Sequence, residues 1–274
     1  MTKKLFILTT ICSALLLLSF SGCSAPPSTK AFDDAELLYS QGEYDQALNA
    51  YLSLLSKFPE SPHAPKSQFR TAHIYNRYLE NIPKALKAYA ELFYLYPESS
   101  ELESAALERA KLYSSVGEHW NAIEDYKWLL EKSTKQDHNQ YLYQLAMEYV
   151  KLNDFKQARV ELAALLGKSP KLALAVKAKY QIATTYYLQS NHKEAIKAYE
   201  EIINNHGKSE MAMEAIIGKG ASLEESGKLS EALAIFKSIA GEYKNTDAIN
   251  IKISLIEKKL KKGPYKKSSK KKKR

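Results

Sequence analysis

Two Gly-Lys-Ser triplets, beginning at Gly167 and Gly207, carry the residue types that a phosphate-binding loop uses. Such a loop cradles phosphate with backbone N–H groups and needs a further glycine five residues earlier, between a strand and a helix. Leu162 and Ile202 stand at that place instead. The six histidines, His63, His73, His119, His138, His192 and His206, include no pair four residues apart. None has a cysteine or glutamate neighbour at metal-ligand spacing. His119 and His192 fall where repeated turns carry an aromatic residue, which packing alone explains. No serine sits in a Gly-x-Ser-x-Gly elbow. The chain therefore reads as a non-enzyme without metal, bound cofactor or small-molecule substrate. An active site assembled by folding from distant side chains is the remaining route to catalysis.

The cysteine chemistry lies at the N-terminal end. Lys3 and Lys4 precede an apolar run, Leu5 to Leu18, that is too short for a comfortable bilayer span. The run ends in Phe20-Ser21-Gly22-Cys23, and the only other cysteine, Cys12, lies inside it. This pattern resembles the lipobox of bacterial lipoproteins, with Phe20 in place of the usual leucine. The resemblance implies cleavage before Cys23, a covalent diacylglycerol on its sulfur and an N-acyl chain on its new amino group. Two or more acyl chains anchor stably, at about 0.8 kcal/mol for each buried methylene. Ser24 follows the cysteine, which by resemblance to sorting rules implies the outer membrane and a periplasm-facing chain. The plain alternative is an ordinary signal peptide with an incidental cysteine. Residues 1–22 are read as the signal peptide and 23–30, with Pro26 and Pro27, as a lipidated tether.

Charge is concentrated at the other end. The formal net charge is +9, yet 11 of the 40 basic residues lie after position 257 and two more in the signal. Residues 23–257 then hold 27 basic against 31 acidic groups, a net of −4. The high isoelectric point thus describes a tail and not a basic groove, so no nucleic-acid partner is expected. The tail, residues 263–274, is too charged and too poor in apolar side chains to fold. Lys266, Lys267, Lys270, Lys271, Lys272, Lys273 and Arg274 are its candidate contacts to an anionic surface, either lipid or peptidoglycan. A merely solubilising end is the competing reading.

Between these ends the chain repeats itself. Ala47, Ala85, Ala122, Ala158, Ala195 and Ala232 recur at spacings of 36 to 38 residues. Four residues after each stands Tyr51, Tyr89, Tyr126, Leu162, Tyr199 or Phe236. Twelve or thirteen residues before each stands another small residue: Ala35, Ala72, Ala110, Ala146, Ala183 or Gly220. Turn residues separate the two, as in Gly42-Glu43-Tyr44, Gly117-Glu118-His119, Asn153-Asp154-Phe155 and Gly227-Lys228-Leu229. This spacing predicts pairs of helices of about 13 residues, joined by tight turns and crossing at the small residues. The aromatic one turn later fills the space beyond the crossing. A lone hairpin cannot bury its apolar face, so the units must stack.

The pattern A-x₁₁-A-x₃-Y, with Gly-x-Tyr in the turn and proline eight residues after the tyrosine, resembles the tetratricopeptide repeat. The period exceeds that family's standard, with the surplus placed at Pro59-Glu60-Ser61-Pro62 and Pro97-Glu98-Ser99-Ser100. The resemblance implies an all-α fold, a right-handed solenoid of about six tetratricopeptide-like helix hairpins over residues 31–262. Thr246-Asp247 reads as the N-cap of a final capping helix, with Ile249, Ile253, Ile256 and Leu260 on one face and lysines on the other. The longer repeats are similar to those of envelope lipoproteins, notably the repeat lipoprotein of the β-barrel assembly machinery and the Tol-Pal-associated repeat protein. The coiled-coil heptads of the second and the long insertions of the first are absent.

In tetratricopeptide arrays the first helix of each pair lines the binding groove, beside its small residue. Carried onto this chain, those positions are Tyr39, His73, Arg77, Lys111, Tyr143, Lys151 and Tyr187. Aromatic residues with cations suit an acidic peptide or helix. A solvated helix face is the alternative. The resemblance implies a scaffold that binds protein partners in outer-membrane or envelope assembly. A pilus or secretin pilot lipoprotein, or a tether to cell wall or membrane acting through the tail, are the other readings.

Overall fold

The computed structural model describes residues 25–132 and 137–262, and these contain thirteen α-helices and no strand. Six antiparallel hairpins come first. They are α1 (Pro27–Ser40) with α2 (Tyr44–Lys57), α3 (Ala64–Arg77) with α4 (Ile82–Leu95), and α5 (Leu102–Ser115) with α6 (His119–Lys132). Then come α7 (His138–Lys151) with α8 (Phe155–Gly167), α9 (Leu172–Leu188) with α10 (His192–His206), and α11 (Glu210–Glu225) with α12 (Leu229–Ser238). A thirteenth helix, α13 (Thr246–Lys262), follows alone. The chain falls into two compact units, which divide after Ala105, inside α5.

The expected crossings are present. All six second-helix alanines are fully buried, and so are all five first-helix alanines. Gly220 holds the sixth place because a Cβ there would meet the Phe236 ring at 2.9 Å. The residue one turn beyond each second-helix alanine is at most 2 % exposed, from Tyr51 to Phe236. Burying each such side chain contributes about 1.5–3 kcal/mol. These residues join neighbouring hairpins. Tyr51 and Leu54 share a core with Ala64 and Ile74 of the next pair. In the second unit, Leu162 and Leu165 pack with Ala178, and Tyr199 and Ile202 with Ala215.

The turns inside hairpins share one device. Gly42, Gly117 and Gly227 adopt φ near +81°, and Asn153 and Ser190 take the same place at +59°. The following N–H then reaches back to a carbonyl five residues earlier, as from Glu43 to Leu38 and from Asp154 to Tyr149. This closes the helix end and turns the chain sharply. The second hairpin has one extra residue there, and Asn81 bonds instead to the carbonyl of Tyr75.

Four details differ from the sequence reading. The first helix starts at Pro27, so residues 27–30 are its opening turn and not part of a tether. Proline fits there because the first helical N–H groups have no partner to lose. The surplus length occupies the first two linkers as expected, but in later units it lengthens α9 to 17 and α11 to 16 residues. The cap of α13 is Asn245, whose side chain accepts from the Ala248 N–H at 3.1 Å, and not Thr246. Finally, α13 exposes Ile251 and Leu255 as well as lysines.

Candidate protein-binding site

In the first unit the sequence-predicted residues lie in an aromatic cluster beside a charged tie. Glu36 on α1 receives a two-pronged bond from Arg70 on α3, Nε at 2.8 Å and Nη2 at 3.1 Å. The Tyr51 hydroxyl donates to the same carboxylate at 2.5 Å, and Lys66 lies 3.5 Å away. Burial raises the Glu36 pKa, but Arg70, Tyr51 and Lys66 together hold it below the ordinary carboxylate value. A charge this well partnered ties neighbouring hairpins together.

Above this tie the Arg70 guanidinium stacks on the Tyr39 ring, 4.3 Å from its centroid. The Tyr39 hydroxyl lies 3.0 Å from His73 Nδ1, which joins two of the predicted groove residues. Burial and the neighbouring Tyr78 push the Tyr39 pKa up to about 12, so its phenol stays protonated. Tyr39 also meets Tyr44 and Tyr78 edge-on, at 5.6 Å and 6.1 Å, and those two rings stack on each other. Arg77 is exposed one turn beyond His73 on α3. The result is a patch of aromatic faces flanked by two guanidinium groups, suited to aromatic and acidic side chains of a partner.

Tyr44, Tyr78 and Arg70 escaped the sequence reading. Tyr44 was assigned to a turn, and Tyr78 follows the last residue of α3 in the one lengthened turn. The available signal was that extra aromatic residue.

In the second unit each predicted residue has its own local setting. Lys111 on α5 is exposed and lies 2.9 Å from Glu108. Lys151 on α7 binds the Glu148 carboxylate at 2.8 Å and the Ser114 hydroxyl at 2.5 Å. Glu148, only 1 % exposed, also accepts from Ser114 at 2.8 Å and lies 2.8 Å from His119 Nδ1. His119 thus holds a buried carboxylate and is not merely a packing residue. Glu148 occupies a column filled elsewhere by Ile74, Leu112, Thr185 and Ser222, and a charge in that column was the overlooked signal. Tyr143 is half-buried beside Leu142 and Leu165, and burial raises its pKa. Tyr187 is half-buried with its ring 5.9 Å from His192.

Two cavities occupy the same repeat position, one in each unit. The first, about 280 Å³, lies between α2, α3 and α4 and is lined by Thr71, Lys84, Lys87 and Glu91. The second, about 650 Å³, lies between α10, α11 and α12, with Lys193, Lys197, Lys219 and Lys228 around Ile196, Leu223 and Ile235. Among the described residues no group of three His, Cys, Asp or Glu side chains could hold a metal ion. No described helix is long and apolar enough to cross a membrane. Cys23 and the basic tail from Lys266 to Arg274 lie outside the described residues.

Solved structures share this architecture. A tetratricopeptide repeat protein from Parabacteroides merdae is 19 % identical at a TM-score of 0.59, covering 88 % of this chain and 94 % of its own. Naa15/Naa10 bound to HypK gives a TM-score of 0.61 at 16 % identity, over 84 % of this chain and 34 % of that one. The type IV pilus biogenesis factor PilW gives 0.51 at 14 % identity, over 82 % and 99 %. At these identities the likeness is one of fold. No curated protein matches the sequence. The tetratricopeptide repeat profile matches residues 32–100, 143–210 and 180–245, more than half of the chain, which therefore belongs to the tetratricopeptide repeat family.

Proposed function

We propose that this protein is a lipid-anchored scaffold, facing the periplasm from the outer membrane, that binds partner proteins during envelope assembly. Repeat arrays of this family serve as protein-interaction scaffolds. The observation that carries partner binding is the cluster of Tyr39, His73, Tyr44 and Tyr78 flanked by Arg70 and Arg77. The anchor rests on the apolar run ending in Cys23, which would carry the diacylglycerol and the N-acyl chain.

In-cell cross-linking with mass spectrometry tests the reading, run beside Cys23→Ser and a Tyr78→Ala/Arg77→Glu pair. A recurrent partner whose yield falls in the pair supports the scaffold. Recovery of no partner, or unchanged yield, removes it. Unchanged membrane fractionation of Cys23→Ser removes the anchor.

A pilus or secretin pilot is the second reading, favoured by the similarity to PilW over nearly all of that chain. A deletion strain that assembles its pilus secretin normally would dismiss it. The tail could add an anionic contact through Lys266 to Arg274, each lysine contributing at most about 1 kcal/mol near anionic lipid. Salt-resistant membrane or cell-wall association that survives deletion of residues 264–274 would leave the tail with no such role.

A further inference from the structure

The last helix, α13, is built as the first half of a hairpin. Ile249, Ile253 and Ile256 pack on Phe236 of α12 and on Ile239, the residue that caps its C-terminal end. In the preceding units Ala178 and Ile182 meet Leu162 and Leu165 in the same way, and Ala215 meets Tyr199 and Ile202. This registers Ile249 with Ala178 and Ala215. Ile256 then aligns with Thr185 and Ser222, each at most 1 % exposed. Lys252 and Lys259 both reach Glu224, at 2.7 Å and 2.5 Å. Lys151 reaches Ser114 from the position that Lys259 holds, so the polar tie repeats as well.

The register puts Ser254 at the small-residue crossing, where Ala35 through Gly220 are all buried under the second helix of their own hairpin. Ser254 is exposed. Three residues before the crossing stand Phe32, Phe69, Leu107, Tyr143, Tyr180 and Ile217, all buried or half-buried. Their counterpart, Ile251, is 62 % exposed, and the neighbouring Leu255 is 48 % exposed. The stripe Ile251-Ser254-Leu255 is the place a second helix occupies in every other repeat, and among the described residues no helix covers it here.

We propose that this stripe receives an amphipathic α-helix from a partner protein. Packing requires a small residue on that helix at the Ser254 crossing and a large apolar residue one turn later, as in the six hairpins here. An antiparallel approach sets its N-terminal half beside Lys258, Lys261 and Lys262, all exposed. That half is therefore acidic, which also suits a helix N-terminus. Residues 263–274 do not fit, since they begin Gly-Pro and carry seven basic groups with Tyr265 as their one large apolar residue. The second helices of another copy do not fit either, because they are already buried in their own hairpins.

The probe is a fluorescent peptide of residues 192–206 with Lys193→Glu and Lys197→Glu, which keeps the Ala195 and Tyr199 spacing. Anisotropy titration with the full chain is expected to show saturable binding that weakens with salt. Ser254→Trp, at an exposed site that leaves the fold intact by circular dichroism, is expected to cut affinity at least roughly tenfold. Lys258→Gln with Lys262→Gln is expected to reduce the salt dependence, and Ala195→Leu in the peptide to weaken binding. Absence of saturable binding, or binding indifferent to Ser254→Trp, overturns the proposal. So does light scattering that shows a dimer abolished by Ser254→Trp, which would make a second copy the occupant.

Discussion

The Lys151 ammonium lies 2.8 Å from the Glu148 carboxylate, and the two groups differ sharply in their access to water. The Lys151 side chain is 44 % exposed and that of Glu148 only 2 %. Removing the lysine leaves Glu148 with Ser114 and His119, so Lys151→Ala is expected to cost about 1 kcal/mol or less. Glu148→Ala strips the shared acceptor from three donors and is expected to cost about 3 kcal/mol. Urea unfolding of the two variants compares them, and equal losses would refute this ordering.

Acid sensitivity follows from two carboxylates. Glu36 and Glu224 have folded pKa values below the ordinary one, despite burial, through Arg70 and through the Lys252 and Lys259 pair respectively. A depressed folded pKa gives stability that is present above the unfolded value and lost as pH falls through the folded one. Asp125 runs the other way, since burial raises its pKa in spite of Arg109. The urea midpoint is therefore expected to drop as pH falls below about 4.5, with Asp125 offsetting part of the fall. Glu36→Gln should cost about 1–2 kcal/mol at pH 7 and much less at pH 3. A pH-independent cost would show that charge is not the source.

Ser190 holds a left-handed backbone, φ +59°, where three other hairpins use glycine. A Cβ is disfavoured there by about 1 kcal/mol or more. Ser190→Gly is expected to raise stability by about 0.5–1 kcal/mol, after allowing for the greater freedom of glycine in the unfolded chain. Calorimetry reads this as a higher melting temperature.

Gly218→Ala tests the opposite case. Inside a helix the change alone would stabilise by about 1 kcal/mol. At this position, however, a Cβ would overlap the ring of Tyr199, which is 2 % exposed and bonded to Thr184. The overlap outweighs the helix preference, and a net loss of about 1–3 kcal/mol is expected. A stabilised variant would show that Tyr199 can move aside.

The alanine columns and the aromatic residue one turn later were readable from the chain alone. A helix crossing imposes small size at a fixed spacing, and six repetitions make such a local constraint visible. The turns were readable for the same reason where glycine or asparagine marked the left-handed residue, and less so at Ser190, which carries no such mark. The groove was partly readable. Position along the repeat brought out Tyr39 and His73, while Tyr44 and Tyr78 joined them only because one longer turn folds back.

Charge partnership could not be read in this way. Glu148, Lys151, Ser114 and His119 come from three helices, and their meeting depends on how one hairpin leans on the next. The same holds for α13. Its composition suggested an end cap with lysines outward, but only packing against α12 decides which residues face the core. That register leaves Ile251, Ser254 and Leu255 exposed, on the side where the hairpins carry their second helix. Sequence period determined which residues repeat. Tertiary packing decided which of them have a partner, because burial depends on the neighbouring helix and not on the helix itself.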